Sequence, residues 1–249
     1  MNLLRAELLK ALTTRLLLWY SLGLLAFLTL VISTRIGSDR RESLEQVSTQ
    51  RSILEHAGLA PVFTALLGAV LLTTEYAHGT INQSFLAVPK RPRLLAAKLA
   101  AIVLAAFAFA ALSDGLTLLI AKLWYAGRGI TLDLGADHVL VPLLGAVGAS
   151  VLAAVIGVGL GALMRRQTAT VTAILVWLLI GETAIGAIGD GARFAPGHAL
   201  ASVVSAHTNG GGNTLGIWAA AATAAAYAAI FVVAGGLAMI GSDVPSSGD

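Results

Sequence analysis

Five histidines, His56, His78, His138, His198 and His207, are the residues here best able to bind a metal or move a proton near neutral pH. None stands in an H-x-x-x-H pair, so the spacing offers no metal site. No G-x-S-x-G elbow positions a serine nucleophile, and no G-x-x-x-x-G-K-[ST] loop is present to cradle a phosphate. The sequence therefore supplies no catalytic residue, no cofactor site and no means of hydrolysing ATP by itself. Cysteine is absent, which removes disulfides and thiolate ligands. Two acids, Asp114 and Glu182, fall inside long apolar stretches. A charge at that depth costs at least about 2.5 kcal/mol, so such residues usually face water or do work. Both are candidates for lining a substrate path. The plainer reading is that each bonds a neighbouring helix or faces water near its outer end.

The run with most chemistry begins at Glu75, Tyr76, His78, Gly79 and Thr80, passes Phe85, and closes on Pro89, Lys90, Arg91, Pro92, Arg93 and Lys98. Gly79 can end a helix and Thr80 can cap a short one after it. Pro89 and Pro92 stop that piece after about two turns. The pattern predicts a short helix held across a membrane surface, with Lys90, Arg91, Arg93 and Lys98 anchoring the return among the phosphates.

The elements that must position these residues are membrane helices. Hydrophobic residues make up 57% of 249 positions and charged ones only 12%, against about 25% charged in soluble domains. An all-α, polytopic membrane protein is expected, with residues 1–15 as an interfacial helix and 16–240 as one transmembrane domain of six spans. The spans are read at about 16–32, 57–74, 99–120, 139–164, 168–188 and 215–240, and residues 241–249 as a disordered tail. The first run is read as a retained helix, because no small-residue cleavage site closes it. Between Glu182 and Asn213 the apolar piece from Ala199 to Ala206 is too short to cross. Gly181, Gly186, Gly189 and Gly191 would let the fifth helix break before it. The segment 182–214 is thus read as re-entrant, its alternative being an ordinary connector packed on the sixth helix. Within the fourth span, Gly157 and Gly161 form a G-x-x-x-G around Gly159, a helix-packing pattern.

The net charge of +3 is small, and the basic residues flank apolar runs, which suits lipid contact rather than nucleic acid. With both termini inside, nine Lys and Arg lie on the cytosolic side and seven outside, a slight bias in the direction that the positive-inside rule requires.

Glu75, Gly79, Thr80, Pro89, Arg91, Arg93 and Lys98, set between six spans, resemble the type-2 ABC transporter permease family. The resemblance implies that loop 75–98 is a coupling helix docking on a separate ABC ATPase, against which the N-terminal helix lies. It also implies a complex of two ATPase copies and two permease chains, as a homodimer or a heterodimer, in the cell membrane. The expected role is the permease of an ATP-driven exporter of a hydrophobic drug, lipid or peptide. An ion-coupled secondary transporter or channel, or a non-transporting assembly subunit, are the alternatives.

Overall fold

A computed structural model describes residues 3–13, 15–81, 91–136, 138–187, 189–205 and 214–241. Phe85, Pro89 and the short helix expected after Gly79, the tail beyond 241, and part of the outer segment lie outside those residues. Among the described residues every regular element is helical, and six helices are long and apolar enough to cross a membrane.

The chain opens with α1 (Leu3–Thr13) and the first span α2 (Arg15–Ser38). Two short helices follow, α3 (Arg41–Leu44) and α4 (Val47–Leu54). A 3-10 turn at Glu55–Leu59 then leads into α5 (Ala60–Ala77), with Pro61 in its first turn. There the missing N–H would have had no partner anyway. The mixed-charge segment 39–56 is therefore folded. Gln50 is buried, and its side-chain amide donates to the Thr131 carbonyl at 3.3 Å while its oxygen accepts the Asp133 N–H at 2.9 Å. Arg128 donates to the carbonyls of Ile36 at 3.1 Å and Gly37 at 3.2 Å, which closes the free end of α2.

The third span belongs to α6 (Arg91–Gly127), 37 residues long. At about 1.5 Å per residue this helix measures about 55 Å against a hydrocarbon core of about 30 Å, so it projects from the bilayer. It starts eight residues before the span read from hydropathy, because Pro92 falls in its first turn and begins a helix there rather than stopping one.

At the centre lies α7 (Val141–Met164), packed on α5, α6 and α11 (Ile217–Gly241) and on the short α10 (Pro196–Ser205). In lipid there is no hydrophobic drive between helices, so close van der Waals contact has to hold them. Two glycine faces provide it. A Cβ on Gly157 would overlap the carbonyl of Ala65 in α5, and one on Gly159 would overlap Phe231 in α11. From the α11 side, a Cβ on Gly235 would come within 2.6 Å of the Gly159 oxygen. Thr64 adds a buried hydrogen bond from α5 to the Ser150 carbonyl of α7, at 2.8 Å.

Arg165 ends α7 in the left-handed conformation, φ 54°, and its guanidinium donates to the Ala238 carbonyl of α11. The fifth span starts at once as α8 (Gln167–Val176), passes through a π-helical turn at Trp177–Gly181, and finishes as α9 (Glu182–Gly186). Gly189, at φ 123°, reverses the chain where other residues would be strained. A 3-10 turn at Asp190–Phe194 then leads into α10.

Candidate functional site

Two polar sites lie at opposite ends of α5. At its C-terminal end, Lys98 of α6 is only 3% exposed, and its ammonium sits 2.9 Å from Glu7 Oε2 of α1 and 2.5 Å from Glu75 Oε1 of α5. Lys10 completes the cluster from α1, 3.0 Å from Glu7 Oε1 and 3.6 Å from Glu75 Oε1. Two acids and two bases balance. A buried ammonium is tolerated only with such partners, because isolation from water costs several kcal/mol per ion. Burial alone would push the Glu7 carboxyl up, but the hydrogen bonds and charges of Lys98 and Lys10 outweigh it and hold the group below its ordinary value. Burial likewise acts to lower Lys10, yet Glu7 and Glu75 leave it raised.

This geometry corrects one reading of the sequence. Lys98 does not anchor among lipid phosphates; it is buried and paired, because α6 is already helical at that point and turns residue 98 inward. Glu7 and Lys10, read only as the polar face of an interfacial helix, are its partners. Nothing in the sequence signals a pairing between positions 91 residues apart.

Glu75 thus enters the cluster, and the neighbouring residues end the helix. His78 caps α5, with Nδ1 2.9 Å from the Thr74 carbonyl oxygen, and Gly79 follows at φ 67°. Thr80 donates to the Glu75 carbonyl at 3.4 Å. Tyr76 packs against the buried cluster that includes Leu72, Ile102 and Val158. Arg91 and Arg93 lie in the first turn of α6.

At the other end of α5 is an apolar cavity of about 570 Å³. Pro61, Val62 and Ala65 of α5 line it together with Ile156 of α7, Ile174 of α8 and Phe231 of α11. Glu182 of α9 and His198 of α10 also line it. Glu182 is 8% exposed, and its carboxylate accepts the Trp177 indole N–H and the Gly197 N–H, each at 2.7 Å, and the His198 N–H at 3.1 Å. His198 Nδ1 lies 2.5 Å from the second oxygen. Residues 197 and 198 are in the first turn of α10, so the acid satisfies backbone donors that a helix start leaves free and sits at the positive end of the dipole. A Cβ at Gly197 would approach Glu182 Cδ to 2.7 Å, so glycine makes room for the carboxylate.

The two intramembrane acids therefore part company. Glu182 borders the cavity, whereas Asp114, half-buried on α6, is not among its lining residues, and its Oδ1 has no hydrogen-bond partner among the described residues. The His198–Glu182 pair, formed across the turn at Gly189, is a contact that no sequence spacing foretold.

A family model described as ABC-2 family transporter protein matches residues 3–183. The matched region takes in the ion cluster, α5, α7 and Glu182, and leaves α10 and α11 outside. No curated protein matches the chain.

Proposed function

Because the chain belongs to the ABC-2 transporter family, a membrane component of ABC transporters, we propose that it is the permease subunit of an ATP-driven exporter. Two ATPase copies would serve two permease chains, and cargo would leave on the side of α10. The single observation that carries this reading is that one unbroken helix, α5, bears Glu75 in the ion cluster and Pro61, Val62 and Ala65 on the cavity. A displacement applied at one end of this 18-residue helix is transmitted through about 27 Å of rigid backbone.

The segment between Gly79 and Arg91 is the point at which an ATPase would push, since it joins α5, which carries Glu75, to α6, which carries Lys98. Lys98 and Glu75 tie the flanks of that segment to α1, so the three elements move as one. ATP chemistry then belongs to the partner. This chain converts the partner's closure into movement of α5 against α7 and the cavity. The N-terminus and C-terminus, Arg93 and Arg165 are assigned to the cytosol, with Ser43 outside, in the cell membrane.

The test is to purify the chain in complex with its ATPase and measure ATP turnover. Glu75→Gln keeps the side-chain shape and leaves Lys98 paired with Glu7. It should preserve membrane levels and complex formation while abolishing the stimulation of ATPase activity by the permease. Turnover by the single chain, or full stimulation in the variant, would refute the assignment.

A further inference from the structure

The cavity has a property that the permease reading does not use: its walls specify a kind of ligand. We propose that it is a lateral binding site for an uncharged, single-chain amphiphile, whose chain lies between the fifth and sixth spans and whose hydroxyl head meets His198. The proposal rests on the permease reading only for calling that ligand a cargo. Binding itself does not depend on it.

Size comes first. An apolar void of about 150 Å³ stays dry and accepts benzene, and small-molecule sites run from about 300 to 1,000 Å³. The cavity, at about 570 Å³, is in that range. Its walls are Ile156, Leu160, Ile174, Trp177 and Phe231 with small residues between them, so an ordered water cluster would find few partners there. The fifth-span helix α8 packs on α5 and α7, and the sixth-span helix α11 on α7 and α10, whereas α8 and α11 hardly touch each other. That leaves a slot facing the hydrocarbon, the phase from which an apolar chain would enter. The π-helical turn at Trp177–Gly181 lies in the α8 wall, and such turns recur at functional sites.

The head follows from charge. Among the described residues no Lys or Arg lines the cavity, so a phosphate or carboxylate would be buried there without a counter-ion from them. Glu182 holds no welcome for a cation either, since both its oxygens already take two donors each. When His198 carries a single ring proton on Nδ1, donated to Glu182, Nε2 is an acceptor. A hydroxyl satisfies that nitrogen without adding charge.

The experiment uses a long-chain alkanol carrying a diazirine in mid-chain, added to the full-length chain purified in nanodiscs. Photolabelling should saturate on Ile156, Trp177 and Phe231. Ala201, an exposed residue on the margin, offers a way to block entry: Ala201→Phe should abolish the saturable labelling. His198→Phe removes one hydrogen bond, worth up to about tenfold in affinity. That variant should lose the preference for alkanol over the matching alkanoate and alkylammonium while keeping chain labelling. Excess unlabelled alkanol on the wild type gives a second measurement that needs no variant. Labelling that does not saturate and spreads over the outward-facing Trp19, Leu30 and Trp218 overturns the site. Absence of labelling, as when a second copy of this chain seals the slot, does the same. Equal labelling by the charged analogues overturns the head assignment. ATPase stimulation measured on the same preparation separates the two readings. Lost labelling with stimulation intact removes the site alone, and saturable labelling without stimulation removes the permease reading alone.

Discussion

Lys98 shows how a buried ion constrains everything that touches it. Its two partners, Glu7 and Glu75, come from α1 and α5, so the pairing ties three helices together. The pH dependence follows from the outer members of the cluster. Glu7 is held below the ordinary glutamate value, so its contribution is present above about pH 4.3 and is lost as the pH falls through its lowered folded value. Lys10 is raised, so its contribution is complete below about pH 10.4 and fades as the pH climbs past its raised value. Thermal unfolding in detergent should therefore show a plateau with an acid limb and an alkaline limb. Glu7→Gln should flatten the acid limb and also shrink the alkaline limb, because Glu7 helps to raise Lys10; an unchanged acid limb in that variant would show that the cluster does not control it. The sequence made Glu75 legible, as a lone acid beside basic residues and Gly79. Glu7 was not legible as its neighbour, because helical spacing reports only the face of one helix. For the same reason Glu182 reads from sequence as a charge stranded in a span, although its donors, Gly197 and His198, wait beyond a chain reversal.

Among the helices, α7 explains why the glycine pattern has a third member. Two residues advance an α-helix by about 200°, so Gly159 faces nearly opposite to Gly157 and Gly161. The G-x-x-x-G spacing made one packing face readable. The second face needed knowledge of where α11 lies, which no local pattern carries. Gly157→Ala should destabilise the protein by about 1–3 kcal/mol, the usual range for an overpacked core, because the obstructing atom is backbone of Ala65 and cannot rotate away. Gly186→Ala meets none of the described residues within 4 Å and should leave the unfolding temperature unchanged. Equal shifts for the two would mean that α5 and α7 separate readily. The length of α6 was hidden for a different reason. Hydropathy averages charged turns into loops, so Arg91 to Lys98 and the stretch after Ile120 read as connectors although the backbone there is helical.

Across the whole molecule, a single decision fixes the topology. The ion cluster and the Arg165–Arg166 turn lie at one end, and α3, α4, the 128–140 connection and α10 lie at the other, because α5, α6 and α7 run between them. The Lys and Arg count of nine against seven leans only slightly toward one orientation, but the structure makes one correct label sufficient for all. The chain has no native cysteine, so single substitutions can be read without background. Glu42→Cys and Arg166→Cys, both at exposed positions, should respond oppositely to an impermeant reagent in intact cells, with the first labelled and the second protected. The reverse pattern would invert the exporter assignment while preserving the fold. The two glycine faces of α7 also set an order of events during synthesis. At about 5–20 residues per second, α5 is already made when Gly157 emerges, whereas the residues from Gly159 to Gly235 take roughly 4–15 seconds to follow. For that interval the Gly159 face of the central helix lacks the α11 contact that later covers it, and the nascent subunit should be more open to membrane proteases until the sixth span arrives.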